Sequence, residues 1–342
     1  MLLREGYDRH RQAFLDLADC PQSISRFDCG EDLFTDVVYL GAEQPERLLL
    51  LTSGLHGVEG FFGSDVQTVF LKQFGNSWSD RPWGVTLVHG LNPYGFANLR
   101  RWNENNVDLN RNFLEDGTFG GAPAGFAELN SFLNPKVGQM GLPFEMQAVW
   151  LIARHGLRQL QHSISSGQYE FSDSLFFGGQ QRESTTNMIA GRADEWLRGA
   201  QEIVHLDFHT GLGRFAEAMM ITCSPISERL RSIVPESFCS LIRTPDADVS
   251  QGSFERWMST HFGDRVISVC AEYGTYNPVK VLKSLRAENM AHHQLPANSP
   301  GWKRAKRQLL EAFYPSSANW RDRVTSHAIQ LIRDIFEHWE HA

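Results

Sequence analysis

Four consecutive leucines at positions 48–51, followed at once by Thr52, Ser53 and Gly54, constrain this chain more than any other stretch. The run is too short for a core helix, and its abrupt end predicts an interior strand of a parallel sheet covered on both faces. Residues 85–89 (VTLVH), 203–209 (IVHLDFH) and 265–272 (RVISVCAE) have the same short apolar form, and 33–40 and 218–223 read as further strands. Helices are expected near the N-terminus and over 58–74, 144–161, 227–233, 279–292, 302–313 and 320–341. Strands alternating with helices predict an α/β fold, a doubly wound, mixed but mostly parallel sheet flanked by helices.

In such a sheet the carboxyl ends of the strands form the pocket. There, after the first run, stand His56 and Glu59 in HGVEG, an imidazole and a carboxylate three residues apart and flanked by Gly54, Gly57 and Gly60. Nitrogen plus carboxylate oxygen is a ligand set that suits zinc. The same spacing also occurs on solvated helix faces, so the pair needs further ligands to count as a site.

After the strand at 85–89 the chain turns polar while keeping unusual side chains, GLNPYGFANLRRWNENNVDLNRNF from Gly90. Arg100, Arg101, Asn110 and Arg111 supply forks and amide donors suited to a carboxylate or an oxyanion. The plainer alternative is surface pairing of these arginines with Glu104 and Asp108. Asp108 also suits the second ring nitrogen of a metal-bound histidine.

At 203–209, alternation puts His205, Asp207 and His209 on one face of the strand. The glycine turn after it favours His209 as a third ligand, with His205 structural and Asp207 behind the ligands. Glu272 ends an otherwise apolar strand, where an ionisable group needs a partner or a task. Residues 114–145 are rich in Gly and Pro and read as a long loop, a candidate lid. Residues 168–181 read as a candidate wall of the cleft. His155 and His162 belong to a helix surface or terminus, and His292, His293, His338 and His341 to solvated positions.

Composition narrows the partners. A net charge of −8 over 342 residues, with no basic stripe, argues against nucleic acid, and the cluster at 303–307 reads as a solvated helix face. No window approaches a membrane span and the charged N-terminus does not resemble a signal peptide, so a soluble, cytoplasmic protein without membrane contact is expected. The five cysteines are odd in number and lack C-x-x-C spacing, which points to free thiols. One catalytic domain over 1–342 is expected; the oligomeric state is not legible.

HGVE followed by NPYGFANLRRWNENNVDLNRNF resembles the zinc carboxypeptidase superfamily, the M14-type metallopeptidases and their deacylase relatives, and within it the DUF2817 group. The resemblance runs from about residue 48 to about 276. It implies a zinc carboxypeptidase-like fold with His56, Glu59 and His209 as zinc ligands and Asp108 supporting the first histidine. It further implies that Asn110 and Arg111 bind a substrate carboxylate and that Arg101 polarises the scissile carbonyl, with Arg100 as rival. Glu272 matches the general base.

The stretch DADVSQGSFERWM resembles the substrate-pocket segment and puts Phe254 where side-chain preference is set, although Phe254 reads equally well as core. Residues 245–250 hold no counterpart of the mobile tyrosine of animal carboxypeptidases, so carboxylate capping is expected to differ. The implied function is zinc-dependent amide hydrolysis by a glutamate-activated water, with a carboxypeptidase-type metallopeptidase as first reading. A deacylase of N-acyl amino acids, like aspartoacylase or succinylglutamate desuccinylase, is the alternative, and a non-catalytic zinc- or peptide-binding protein the third. The expected partner is a peptide or an N-acyl amino acid.

Overall fold

The computed structural model describes residues 4–18, 24–75, 81–114, 118–138, 143–156, 160, 163, 166–222, 225–244 and 251–341. Its strands are β1 (Ile24–Asp28), β2 (Phe34–Gly41), β3 (Arg47–Ser53), β4 (Gly84–His89), β5 (Glu202–Thr210), β6 (Ala218–Ile221), β7 (Ile242–Arg243) and β8 (Val266–Tyr273). They form one mixed sheet in the order β1-β2-β4-β3-β5-β8-β6-β7. The central strands β4, β3, β5 and β8 run parallel to one another, and antiparallel pairings flank them at β2 and β6.

The leucine run occupies β3, in the middle of this sheet, where Leu48, Leu49, Leu50 and Leu51 are all fully buried. Alternation divides them between two cores. Leu49 and Leu51 pack with Phe62, Phe70 and Ile332 from the helices Gly60–Phe74 and Ala318–His341. Leu48 and Leu50 pack with Ile189, Trp196, Phe254 and Trp257 from the helices Ser184–Leu197 and Phe254–Phe262. A strand covered on both faces admits few polar side chains before its end, and each needs a buried partner, so chemistry collects at the end.

The C-terminal helices Pro278–Gln294, Pro300–Phe313 and Ala318–His341 lie close to their expected bounds. The first two start on Asn277 and Ser299, whose side chains accept the N–H of Lys280 and Trp302 and so satisfy orphan donors of the first turn.

Other expectations are corrected. Residues 114–145 are not one long loop, because Phe126–Leu133 is a helix that buries Phe126, Leu129, Phe132 and Leu133. The cluster at 303–307 is not wholly solvated, since Lys306 is fully buried against Glu288. The helix expected to reach 161 ends at His155, whose ring faces Glu128 at 3.6 Å. The helix expected over 227–233 is the short Glu228–Arg231.

His162, Cys20 and Cys223 lie outside the described residues; Cys29, Cys239 and Cys270 are free thiols. No helix among the described residues is long and apolar enough to cross a membrane.

Candidate metal centre

The site forms where β3, β5 and β8 end together. After β3 the chain reverses at Gly54, in the left-handed region at φ +73°, and His56 leads into a single 3-10 turn, Gly57–Glu59, before the helix from Gly60. Gly57 is required there, because a Cβ would stand 2.1 Å from the carbonyl carbon of Gly95. Its N–H donates to the carbonyl of Arg101 at 3.3 Å and that of Val58 to Arg100 at 2.7 Å, so the turn is anchored to the 99–101 backbone.

His56 Nε2 lies 3.0 Å from Asp108 Oδ1, and His209 Nε2 lies 2.5 Å from Asp207 Oδ2. Ionised carboxylates only accept, so both Nε2 atoms carry a proton, and each ring in its neutral form presents a lone pair at Nδ1. These two Nδ1 atoms are 3.1 Å apart, with Glu59 Oε1 3.0 Å from one and Oε2 3.1 Å from the other. Three buried acceptors thus converge with no donor proton between them, a repulsive arrangement that a shared cation resolves. Two imidazoles and a carboxylate within 4.8 Å of one another form a donor set that fits zinc.

Burial would raise the carboxyls of Asp108 and Asp207, yet Arg101 beside the first and the hydrogen bond from His209 to the second outweigh it and hold both below the usual range. Thr52 donates its hydroxyl to Asp207 at 2.6 Å, so it must accept from His205 Nε2 at 3.0 Å. Ser268 then donates to His205 Nδ1 at 2.8 Å. Burial keeps His205 neutral, lowering its pKa to about 4. The period-two face expected of this strand is therefore present, with His205 supporting from one pleat deeper.

Glu272 is the register partner of His209 across β5 and β8. One of its oxygens accepts the Leu212 N–H at 2.7 Å, and burial followed by the charge of Glu59 pushes its carboxyl upward. Cys270, two residues earlier and on the same face, brings Sγ to 3.6 Å from the other oxygen. The thiol was legible as a neighbour by the same alternation, but five scattered cysteines gave no reason to single it out.

The adjacent arginines part company. Arg101 turns into the site, donating from Nε to Asp108 at 2.9 Å and from Nη1 to Glu59 at 3.4 Å. Arg100 turns away into a buried cluster with Glu288, Asn106 and Asn289. The surface pairing with Glu104 and Asp108 does not occur, since Asp108 and both arginines are buried.

Arg111 is buried, with Nη1 donating to the carbonyl of Asn110 at 2.6 Å, and burial pulls its pKa down. Part of the stretch 168–181 lies against these arginines, together with Gly167 before it. A Cβ on Gly167 would meet Arg111 Cδ at 2.7 Å, Tyr169 donates to the Arg111 carbonyl at 2.8 Å, and the Phe176 ring lies 5.5 Å from the Arg101 guanidinium.

Phe254 is corrected as a substrate contact. Its ring is fully buried between Phe113, stacked at 4.8 Å, and His205 at 5.0 Å. Asn110 instead receives the Phe254 backbone N–H at 2.9 Å, capping the start of that helix. Residues 245–250, which lack the tyrosine, lie outside the described residues.

A family model described as a protein of unknown function (DUF2817) matches residues 5–327. No curated protein matches the chain. Among solved structures it is similar to a candidate metallopeptidase from Shewanella amazonensis, at 16% identity over 91% of this chain and 95% of that one, with a TM-score of 0.43. It is similar to a metallo-carboxypeptidase from Pseudomonas aeruginosa at 14% identity over 96% and 69% of the two chains, with a TM-score of 0.45. It is also similar to bovine thrombin-activatable fibrinolysis inhibitor, solved with tick carboxypeptidase inhibitor, at 12% identity over 96% and 97%, with a TM-score of 0.44.

Proposed function

The chain belongs to the DUF2817 family of proteins of unknown function, and we propose from its own site that it is a zinc-dependent amide hydrolase, a metallopeptidase of carboxypeptidase type. The observation that carries this reading is the convergence of His56, Glu59 and His209 as three buried acceptors, with Glu272 beside them. A set of three protein ligands with one position left open belongs to catalytic rather than structural zinc.

A zinc ion in this set supplies Lewis acidity toward an amide carbonyl and lowers the pKa of a water molecule toward neutrality. Glu272 takes the proton of the attacking water and delivers it to the amine nitrogen as the C–N bond breaks. Arg101, 3.4 Å from Glu59, donates to the carbonyl oxygen as negative charge develops on it. Asp108 and Asp207 hold the two imidazoles in the tautomer that keeps Nδ1 available. Arg111 complements a carboxylate on the leaving side, with Asn110 fixing the backbone beside it.

The same residues serve a deacylase, in which the released amine is an amino acid and also carries a carboxylate. Burial of the Phe254 ring favours keeping this second reading, because that residue offers no wall for a C-terminal side chain.

The experiment is a paired assay of the zinc-loaded protein: release of C-terminal residues from peptides against hydrolysis of N-acyl amino acids, each with and without chelator. Chelator-sensitive release from peptides is expected. Hydrolysis that survives complete zinc removal, or none of either substrate class, would overturn the proposal.

A further inference from the structure

Arg100 lies outside the mechanism above, yet it is fully buried and strongly held. Its Nε donates to Glu288 Oε1 at 3.1 Å and its Nη2 to Asn106 Oδ1 at 2.7 Å and Asn289 Oδ1 at 3.4 Å. Lys306 Nζ reaches the same Glu288 oxygen at 2.5 Å, and Arg100, Glu288 and Lys306 are each 0% exposed. Desolvating two cations and a carboxylate is weak ground for stability, since well-packed apolar side chains of similar volume do as well or better. The explanation has to be sought in what the cluster holds in place.

That is the backbone of residues 99–101. Leu99 sits in the left-handed region at φ +49°, a conformation a branched side chain adopts only when its surroundings impose it. Arg100 N–H donates to the Gly95 carbonyl at 2.8 Å, and the carbonyls of Arg100 and Arg101 receive the Val58 and Gly57 N–H groups. Gly57 and Val58 are the two residues between His56 and Glu59. The next side chain along, Arg101, points the opposite way, to Asp108 and Glu59.

We propose that Arg100, gripped by Glu288, is a positioning residue for the metal-ligand turn: it fixes the strained 99–101 backbone whose carbonyls hold Gly57 and Val58, and through them His56 and Glu59. The proposal rests on the reading of this turn as a zinc site, and it assigns the turn's geometry to the helix Pro278–Gln294, which carries Glu288.

The test compares Arg100→Lys, which keeps the charge and loses the fork, with Lys306→Met, which perturbs the same cluster but leaves the Arg100–Glu288 bond. The measurements, all in the full chain, are amide hydrogen exchange at Gly57 and Val58, zinc affinity by chelator competition, kcat and KM separately, and the melting temperature. Arg100→Lys is expected to speed exchange at both amides about tenfold relative to β3 and to weaken zinc binding about tenfold, the range of groups that orient ligands. It is expected to lower kcat with KM within about twofold. Lys306→Met is expected to shift the melting temperature while both amides and zinc affinity stay within about twofold of wild type.

If Arg100→Lys does not fold, Glu288→Asp, shorter by one methylene and equal in charge, is expected to show the same pattern. A lowered melting temperature with unchanged amides and unchanged zinc affinity in these variants overturns the proposal, as does an equal loosening in Lys306→Met. The amide measurement needs no metal, so a wild type that binds no zinc and hydrolyses nothing removes the proposed function while this test still reads.

Discussion

His209 and Glu272 are direct register partners on the parallel strands β5 and β8, so an imidazole and a carboxylate leave the sheet side by side at its carboxyl edge. Their separation is set by the ladder rather than by a loop. A site built on strand ends is placed more finely than one built on loops, which suits the proton acceptor proposed for Glu272.

Glu272→Gln separates binding from turnover. The amide keeps the acceptor oxygen for the Leu212 N–H and is nearly isosteric, so zinc content by metal analysis is expected to equal wild type. Hydrolysis is expected to fall by about 10²–10⁴, the usual contribution of a general base. Loss of zinc together with loss of activity would instead make Glu272 a ligand.

Asp207→Asn tests the support of His209. The amide can present its N–H₂ to Nε2, which favours the tautomer with the proton on Nδ1 and removes the lone pair from the ligand set. Zinc affinity is expected to weaken by about 10–100-fold with the circular dichroism spectrum unchanged. Affinity within twofold of wild type would show that the His209 tautomer is set elsewhere.

Phe254→Ala tests the core assignment. Removing a fully buried ring stacked on Phe113 is expected to lower unfolding stability by about 3–5 kcal/mol in denaturant titrations. The ranking of substrates with different C-terminal side chains is expected to stay as in wild type. A reordered ranking with stability intact would return Phe254 to the substrate.

His89 gives the fold an acid sensitivity. Burial pulls its pKa from the ordinary 6.5 to about 3, with Nε2 against Ser64 at 2.9 Å and the ring stacked on Phe14 at 4.7 Å. The folded value lies below the unfolded one, so as pH falls the unfolded chain takes up the proton first. This contribution is complete above about pH 6.5 and is lost progressively down to about pH 3, at most about 5 kcal/mol by linkage. In chelator, His89→Gln is expected to lose less unfolding stability than wild type between pH 7 and pH 4. Parallel stability–pH curves for the two proteins would refute the assignment.

What the sequence determined alone is everything that repeats over a few residues. The apolar runs located β3, β4, β5 and β8, because a strand buried on both faces is mostly apolar along its length. Period-two alternation put His205, Asp207 and His209 on one face, and the glycine-flanked HGVE marked the turn that follows β3. Tertiary structure decided what has no local period. Whether Arg100 or Arg101 faces the ligands depends on Glu288, 188 residues from Arg100, because irregular backbone gives adjacent side chains no preferred side. Phe254 is core because Phe113 and His205 close around it, and Lys306 is buried because Glu288 meets it from another helix. A chain writes its periodicities within one turn or pleat, while the partners of its loop and helix side chains are chosen only when distant segments pack.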